Sequence, residues 1–571
     1  MKTVQRLWPW LASLASGLLL RACFAPFAQA WLCWIALTPV LAAVWFSGAE
    51  SKRRWLRDLS LGYLAGAVFF WSVFSWLRTV TGIGSVMVGL YMAIYLALWA
   101  WLAGRMRPRL RAVKPVEGLE AVTQRLAAKR KREPFDVGEP ALPESPLRGS
   151  PWLSSLGNLR LAFFLAAAWV TVEWLRSVVF SGWGWNTLGS ALHGQWAMIQ
   201  IVEFTGVPGL SFMVAFTNVI LVATVKRFIV EAEVKRARPH FDFTVTMVAI
   251  VGVICFGIRA VQIHPPSTTV RIGALQPNVP REQKFNPEYV QATFDKFTRL
   301  SQVALQARPD LLVWPESSMP APVLQDETTR QYVTDFVARA KTDLLLGAID
   351  VDEKDAFNAA LLVTDSGRSF QVYHKMHLVP FGEYVPGRNT VPGIGWIVGE
   401  QVPEDFGFGK QHTVFQMTRP DVRLAPLICF EDTIGELTRQ FVRRGANLLA
   451  NVTNDGWFQR TCGSQQHLDN AIFRCVETRL PMVRAANTGV TCFVNEFGRV
   501  TQVLRDETGS QFTEGVLSGS VQVPTNYQPT FYVRHGEVFG FGCVGLTGLA
   551  LLWLAVRLPF RRKAAGDQST D

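Results

Sequence analysis

Apolar residues in this chain gather into long unbroken stretches at both ends, and between them lies a region where short apolar runs alternate with polar ones. A helix needs ~20 apolar residues to cross a bilayer. Eight stretches read as spans on that basis: 7–22, 26–46, 59–78, 83–104, 159–180, 206–226, 243–262 and 537–558. The first is short enough to be compared with a signal peptide, but the spans that follow closely favour a retained helix. The stretch 194–206, with Trp196, reads as re-entrant or interfacial.

The region 264–536 has another rhythm. Strand-like runs are predicted at Thr269–Leu275, Leu311–Trp314, Leu344–Ala348, Ala359–Thr364, Arg423–Cys429, Asn447–Val452, Pro481–Ala485 and Val490–Asn495. Amphipathic stretches such as Asn286–Ala307 and Thr328–Lys341 separate them. Strands alternating with helices predict an α/β globular domain. The expected organisation is a transmembrane domain over 1–263, an α/β domain over 264–536, and a closing span with a basic tail over 537–571. The segment 105–157 is polar, basic and Pro-rich, a loop that buries little; Ala121–Arg132 within it has the pattern of a surface helix.

Composition supports the membrane reading. Apolar residues make up 49% of the chain and charged residues 18%, below the roughly 25% of an average soluble protein. The formal net charge of +12 would suit a nucleic-acid binder, but its placement points elsewhere. Lys52, Arg53, Arg54 and Arg57 follow the second span, and Arg105 to Lys114 and Lys129 to Arg132 the fourth. Lys226 to Arg238 follow the sixth, and Arg557 to Lys563 the eighth. The opposite loops carry little beyond Arg21 and Arg78. Lys- and Arg-rich loops stay in the cytoplasm, so both termini are expected there and 264–536 on the other face. No nucleic-acid partner is expected.

Eight cysteines are present, none in a CxxC pair, and no His cluster has metal-ligand spacing, so no metal is expected. Cys462, Cys475 and Cys492 lie in the outer region, where one disulfide is open to them. Three motifs carry candidate chemistry. In Leu311–Ser317 an apolar strand ends at Pro315 and presents Glu316. In Tyr373–Pro386, Lys375 and Glu383 stand among aromatic residues and prolines. In Leu424–Asp432 a strand runs into Cys429 and then two acids. Taken singly, each has a plain alternative: a capping Glu, a surface Lys, a buried structural Cys. Together they supply a nucleophile, a base and a cation. A thiol attacks as its thiolate; a neighbouring Glu takes the proton, and a Lys steadies the anion or an oxyanion.

Trp314-Pro315-Glu316, Lys375 with His377 to Glu383, and Cys429-Phe430-Glu431 resemble the signature of the nitrilase superfamily. Asn451 to Phe458 and His467 to Arg484 fit as well, as does Asn487-Thr488-Gly489-Val490. With its helical first half and last span, the chain as a whole resembles the apolipoprotein N-acyltransferase family. That resemblance implies a membrane helical bundle of about eight transmembrane helices joined to a nitrilase-like αββα sandwich. It implies Cys429 as nucleophile, Glu316 as general base and Lys375 as oxyanion stabiliser. Glu383 and Glu431 would be supporting carboxylates, with Trp457 and Asn358 lining the site. The segment 384–410, with Trp396, would be an arm over the entrance. The implied reaction needs no cofactor. It moves an acyl chain from the sn-1 position of a phospholipid donor to the N-terminal amine of a diacylated apolipoprotein, through a thioester. The enzyme would be a monomer in the bacterial inner membrane, with its catalytic domain periplasmic. A membrane-anchored amidase or esterase is the alternative, and a transporter with a binding-only outer domain, drawing on Glu173, Arg176 and Glu203, a more distant one. Two departures from the family pattern stand out: the longer 105–157 loop, and Phe430 where relatives often have Tyr.

Overall fold

The computed structural model describes residues 2–48, 51–107, 151–233, 239–364, 367–388, 390 and 404–566. Most of the predicted polar loop, including the proposed surface helix Ala121–Arg132, lies outside the described residues.

Among the described residues, five helices are long and apolar enough to cross a membrane: Gly82–Arg105, Trp152–Val178, Val207–Glu231, Phe241–Ala260 and Val538–Val556. They belong to α4 (Gly82–Arg105), α5 (Pro151–Val178), α6 (Val207–Glu233), α7 (Phe241–Ala260) and α12 (Val538–Gly566). Two further predicted spans fall on α1 (Lys2–Ala22) and α3 (Arg54–Val73).

The predicted span 26–46 differs from a single helix. It forms a 3-10 turn at Ala30–Trp34 and then α2 (Thr38–Phe46). Pro39 stands at the start of α2, where its missing N–H costs no helical hydrogen bond. Backbone groups released at the break find side chains instead. Leu37 N donates to Asn218 Oδ1 at 2.9 Å, Asn218 Nδ2 donates to Cys33 O at 2.9 Å, and Val40 N donates to Ser16 Oγ at 2.9 Å. Irregular backbone among membrane helices requires such internal partners. The polar residues of α5 are satisfied in the same way. Glu173 accepts from Trp169 Nε1 and Leu188 N, and Arg176 donates to the carbonyls of Trp183 and Trp185. They brace the loop after α5, which accounts for them without a transport path.

Between α7 and α12 lie two six-stranded sheets, ordered β12-β1-β2-β3-β4-β5 and β11-β10-β9-β8-β7-β6. The first contains β1 (Ser267–Gln276), β2 (Leu311–Trp314), β3 (Asp343–Val351), β4 (Ala356–Thr364), β5 (Ser369–His374) and β12 (Gly515–Pro524). The second contains β6 (Phe415–Gln416), β7 (Arg423–Ile428), β8 (Leu448–Thr453), β9 (Met482–Ala486), β10 (Cys492–Val494) and β11 (Val500–Val503). Side chains alternate across a strand, and both faces here are apolar. Leu311 and Val313 join the core shared with the second sheet, while Leu312 and Trp314 pack with Phe297, Val333 and Phe336 of α8 (Val290–Leu305) and α9 (Glu327–Ala340). On the far side α10 (Gly435–Arg443) and α11 (Gly463–Thr478) contribute Phe441, Phe473 and Val476 to the shared core. The result is a four-layer αββα sandwich.

The sandwich is seated on the helices through α11. Gln466 accepts from Trp76 Nε1 and Asn186 Nδ2, both at 2.9 Å, and donates to the carbonyls of Ala25 and Val73. Asn470 exchanges hydrogen bonds with Asn186. The segment read as interfacial forms a 3-10 turn at Met198–Ile201 and a short helix at Val202–Thr205. There Glu203 meets Arg479 at 2.7 Å, and Arg499 lies 4.9 Å from the ring centre of Trp196. All eight cysteines are free thiols, including Cys462, Cys475 and Cys492.

Candidate active site

Strand direction brings the predicted residues to one end of the sandwich. β2 runs parallel to β3, β3 antiparallel to β4, and β4 antiparallel to β5. The chain therefore leaves β2 and β5 at the same end, with Glu316 after one and Lys375 after the other. In the second sheet β7, β8 and β9 are parallel, and Cys429 follows β7. Gly347 of β3 lets the Glu316 backbone come close: a Cβ there would lie 2.5 Å from Glu316 Cα.

Lys375 is 1% exposed, and its Nζ lies 2.8 Å from Glu383 Oε2 and 3.8 Å from Glu316 Oε1. Asn358 Nδ2 donates to Glu316 Oε1 and to Glu383 Oε1, each at 2.7 Å. Facing two carboxylates, that end of the amide has to be the donor. Val379 N donates to Glu383 Oε2 at 2.7 Å. Glu316 Oε2 and Asn358 Oδ1 are buried acceptors with no donor among the described residues. Burial opposes the Lys375 charge, but Glu383, Glu316 and Cys429 outweigh it and hold the ammonium protonated.

Cys429 opens a 3-10 turn, Cys429–Thr433, and has a left-handed φ of 51°. For a residue with a Cβ that conformation costs roughly 1–2 kcal/mol and is kept only where surroundings enforce it. Glu431, fully buried, is one enforcer. It accepts from Ile428 N at 3.0 Å on one oxygen, and from Met376 N, His377 N and the Tyr373 hydroxyl at 2.8, 3.0 and 2.9 Å on the other. Glu431 thus ties the Cys429 turn to the Lys375 segment. Burial pushes its carboxyl up to about 7, against Lys375 and the donors that favour the charged form. Burial and Glu316 raise the Cys429 thiol, and Lys375 lowers it. Both residues thus act on the thiol electrostatically.

The predicted residues Glu316, Asn358, Lys375, Glu383, Cys429 and Glu431 meet in this one region. Trp457 lies in the turn Asp455–Phe458 at the seam with the helices, where its carbonyl accepts from Thr79 Oγ1 at 3.0 Å. Trp396 lies outside the described residues.

Other residues enter that the sequence reading did not assign. Lys284 Nζ donates to the carbonyls of Glu316 and Ser317 at 3.0 and 3.2 Å, and burial pushes it down to about 8. Behind Cys429 is a charge cluster with no exposed surface: Asp432, Asn451, Asp455, His467 and Arg484. Arg484 donates to Asp432, to Asn451 Oδ1 at 3.0 Å, to both Asp455 oxygens at 3.1 Å, and to Val490 O at 3.1 Å. His467 lies 2.9 Å from Asp432 and 3.0 Å from Asp455. Burial opposes charge at Arg484, His467 and Asp455, yet Asp455 and Asp432 raise Arg484, Asp432 and Asp455 raise His467 against the repulsion of Arg484, and Arg484 and His467 lower Asp455. A signal was available, since an arginine inside the apolar run Pro481–Ala485 needs a buried partner.

Comparison with known proteins gives the family. The carbon-nitrogen hydrolase family matches residues 270–528. The N-terminal domain of apolipoprotein N-acyltransferases matches residues 16–125 and 144–220. An apolipoprotein N-acyltransferase of Geobacter metallireducens is 30% identical over 98% of this chain and 96% of its own length. One of Nitrosomonas europaea is 31% identical over 70% of this chain and 77% of its own. A solved CN-hydrolase superfamily protein from Xanthomonas campestris is 16% identical, with a TM-score of 0.35 over 44% of this chain and 90% of that one. With both halves matched in order and a relative aligned over nearly its whole length, the chain belongs to the apolipoprotein N-acyltransferase family.

Proposed function

We propose that this acyltransferase moves an acyl chain from the sn-1 ester of a membrane phospholipid to the α-amine of a diacylglyceryl-cysteine at a lipoprotein N-terminus, through a thioester on Cys429. The observation that carries the reading is the meeting of Lys375 with Glu316 and Glu383 beside a buried thiol. Glu316 accepts the Cys429 proton as sulfur attacks the ester carbonyl. The Lys375 ammonium stabilises the oxyanion; such a fixed charge in a dry site supplies a large part of acyl-transfer catalysis. The intermediate collapses, the C–O bond breaks, and Glu316 returns its proton to the departing lysophospholipid oxygen. The amine then attacks the thioester, Glu316 takes one of its protons and passes it to the departing Cys429 sulfur, and an amide and the free Cys429 thiol result. An α-amine with an unperturbed pKa of ~7.7–8.0 needs only modest help to react as the free base. Glu383 shares the Lys375 charge and holds that cation in place.

Both substrates are lipid-anchored, which accounts for a nitrilase-like sandwich seated on apolar helices. The basic loops support a periplasmic catalytic face on the inner membrane, and the enzyme is taken to act as a monomer. Intact-protein mass spectrometry after incubation with phospholipid alone tests the mechanism. One acyl-sized adduct on Cys429 with one equivalent of lysophospholipid is expected, released only by a lipoprotein amine. Continuous lysophospholipid production without that amine would make the protein a hydrolase.

A further inference from the structure

The Arg484 cluster has no part in the chemistry above, yet it touches the nucleophile through one side chain. Asn451 Nδ2 donates to Cys429 O at 3.0 Å and to Leu427 O at 3.2 Å, while its Oδ1 accepts from Arg484 at 3.0 Å. The two ends of a primary amide are nearly equal in size, so shape alone does not choose which end faces Cys429. The two carbonyls only accept and take the N–H end; Arg484 holds the other end, because a guanidinium only donates. The same guanidinium holds Asp432, three residues along the same turn. The left-handed Cys429 is therefore fixed relative to one rigid cation at two points.

Arg484 is anchored in turn by Asp455 and Val490 O, and His467 links Asp455 to Asp432. A buried ion cluster holds little stability advantage over packed apolar residues, so stability alone gives a poor reason for its presence here. We infer that Arg484 is a positioning residue for the Cys429 nucleophile, acting through the fixed amide of Asn451. The inference rests on Cys429 being the acyl acceptor.

Two variants of the full chain in detergent test it. Arg484→Lys keeps the positive charge but cannot reach both carboxylates and Asn451 at once. Asn451→Asp keeps an acceptor for Arg484 and removes the donor to Cys429 O. Single-turnover acylation by phospholipid in mixed micelles gives two readouts. Its amplitude counts folded sites, and its rate constant reports how well the thiol is placed. Displacement of a reacting group by ~1 Å can cost ~100-fold. Both variants should keep amplitudes within about twofold of the parent, with acylation at least ~30-fold slower at unchanged half-saturation by phospholipid. Lower amplitude with an unchanged rate constant would reduce Arg484 to a folding role and overturn the inference, as would two unchanged rates. The pH dependence of Cys429 alkylation by iodoacetamide, followed on its own peptide, needs no lipid. Arg484→Lys conserves charge, so a midpoint raised by roughly half a unit or more reports a weaker influence of Lys375 on a displaced thiol. An unmoved midpoint would count against the inference even if the parent formed no acyl adduct, the result that would sink the transferase reading separately.

Discussion

On one side of Cys429 the Lys375 ammonium is shared by Glu383 and Glu316, and two acceptors there, Glu316 Oε2 and Asn358 Oδ1, have no donor among the described residues. On the other side every nitrogen of Arg484 is engaged, by Asp432, Asn451, Asp455, His467 and Val490 O. Both clusters hold one permanent cation and two carboxylates. The difference lies in what is left over. A saturated cluster has one arrangement and resists movement; an open one has capacity for protons and substrate groups that arrive during turnover. Buried unsatisfied acceptors are costly, and here they stand where the proposed chemistry passes a proton back and forth.

Substitutions can break this division. The largest effect is expected for Cys429→Ala: no acyl adduct by mass spectrometry and no transfer to a lipoprotein amine. Lys375→Met should slow acylation by ~100- to 1,000-fold and lower the melting temperature less than Asp455→Ala does. Asp455→Ala leaves Arg484 and His467 short of a charge partner at a site with no exposure, and should cost about 3–5 kcal/mol of stability. Denaturant melts of the two variants decide the matter: a larger stability loss for Lys375→Met would show that the open cluster is the structural one.

Glu431 joins the two sides, and its pH behaviour sharpens the comparison. Its folded pKa of about 7 lies above the ordinary 4.5, so between those values the folded state binds more protons than the unfolded. Its stabilising contribution is full below about pH 4.5 and is lost as pH rises towards 7, on the order of 3 kcal/mol. Melting curves of Glu431→Gln should lack that slope. The smallest effect belongs to the seam. Gln466→Leu leaves the Trp76 indole and Asn186 amide without their acceptor, at about 1–3 kcal/mol, and should lower melting while leaving the pH profile of acylation unmoved.

Much of this was legible in the chain. Short apolar runs marked Leu311–Trp314 and Arg423–Cys429, and Glu316 and Cys429 at their ends could be named because strand ends are where ligands bind. Four strands were missed for physical reasons. β12 is half-exposed and mixes Gly and Ser with Val; β5 carries Gln371 and His374; β6 and β11 are only two and four residues long. Pairing, and not local preference, makes them strands. Arg484 in an apolar run signalled a buried partner, but which residues would meet it was not legible: Asp432, Asn451, Asp455, His467 and Arg484 come from separate elements, and only the parallel register of β7, β8 and β9 gathers them. Lys284 sat in a loop with nothing to distinguish it from a surface lysine. The break at residues 34–38 was hidden because hydropathy measures solvent preference and carries no record of where Asn218 donates.

Helix α11 has one further implication, for anyone wishing to screen inhibitors. Every residue from Gly463 to Thr478 except Gln465 is buried, partly beneath the sandwich and partly beneath Trp76, Trp185 and Asn186. Trp185 also stacks on Phe430, the neighbour of Cys429, and on His467. A soluble fragment cut at Pro266 would lose this floor, wet one face of α11, and expose an aromatic surface prone to self-association. A compound selected against that fragment would meet a Cys429 turn stripped of the aromatic ring stacked on Phe430, and hits would be better sought on the whole chain held in lipid.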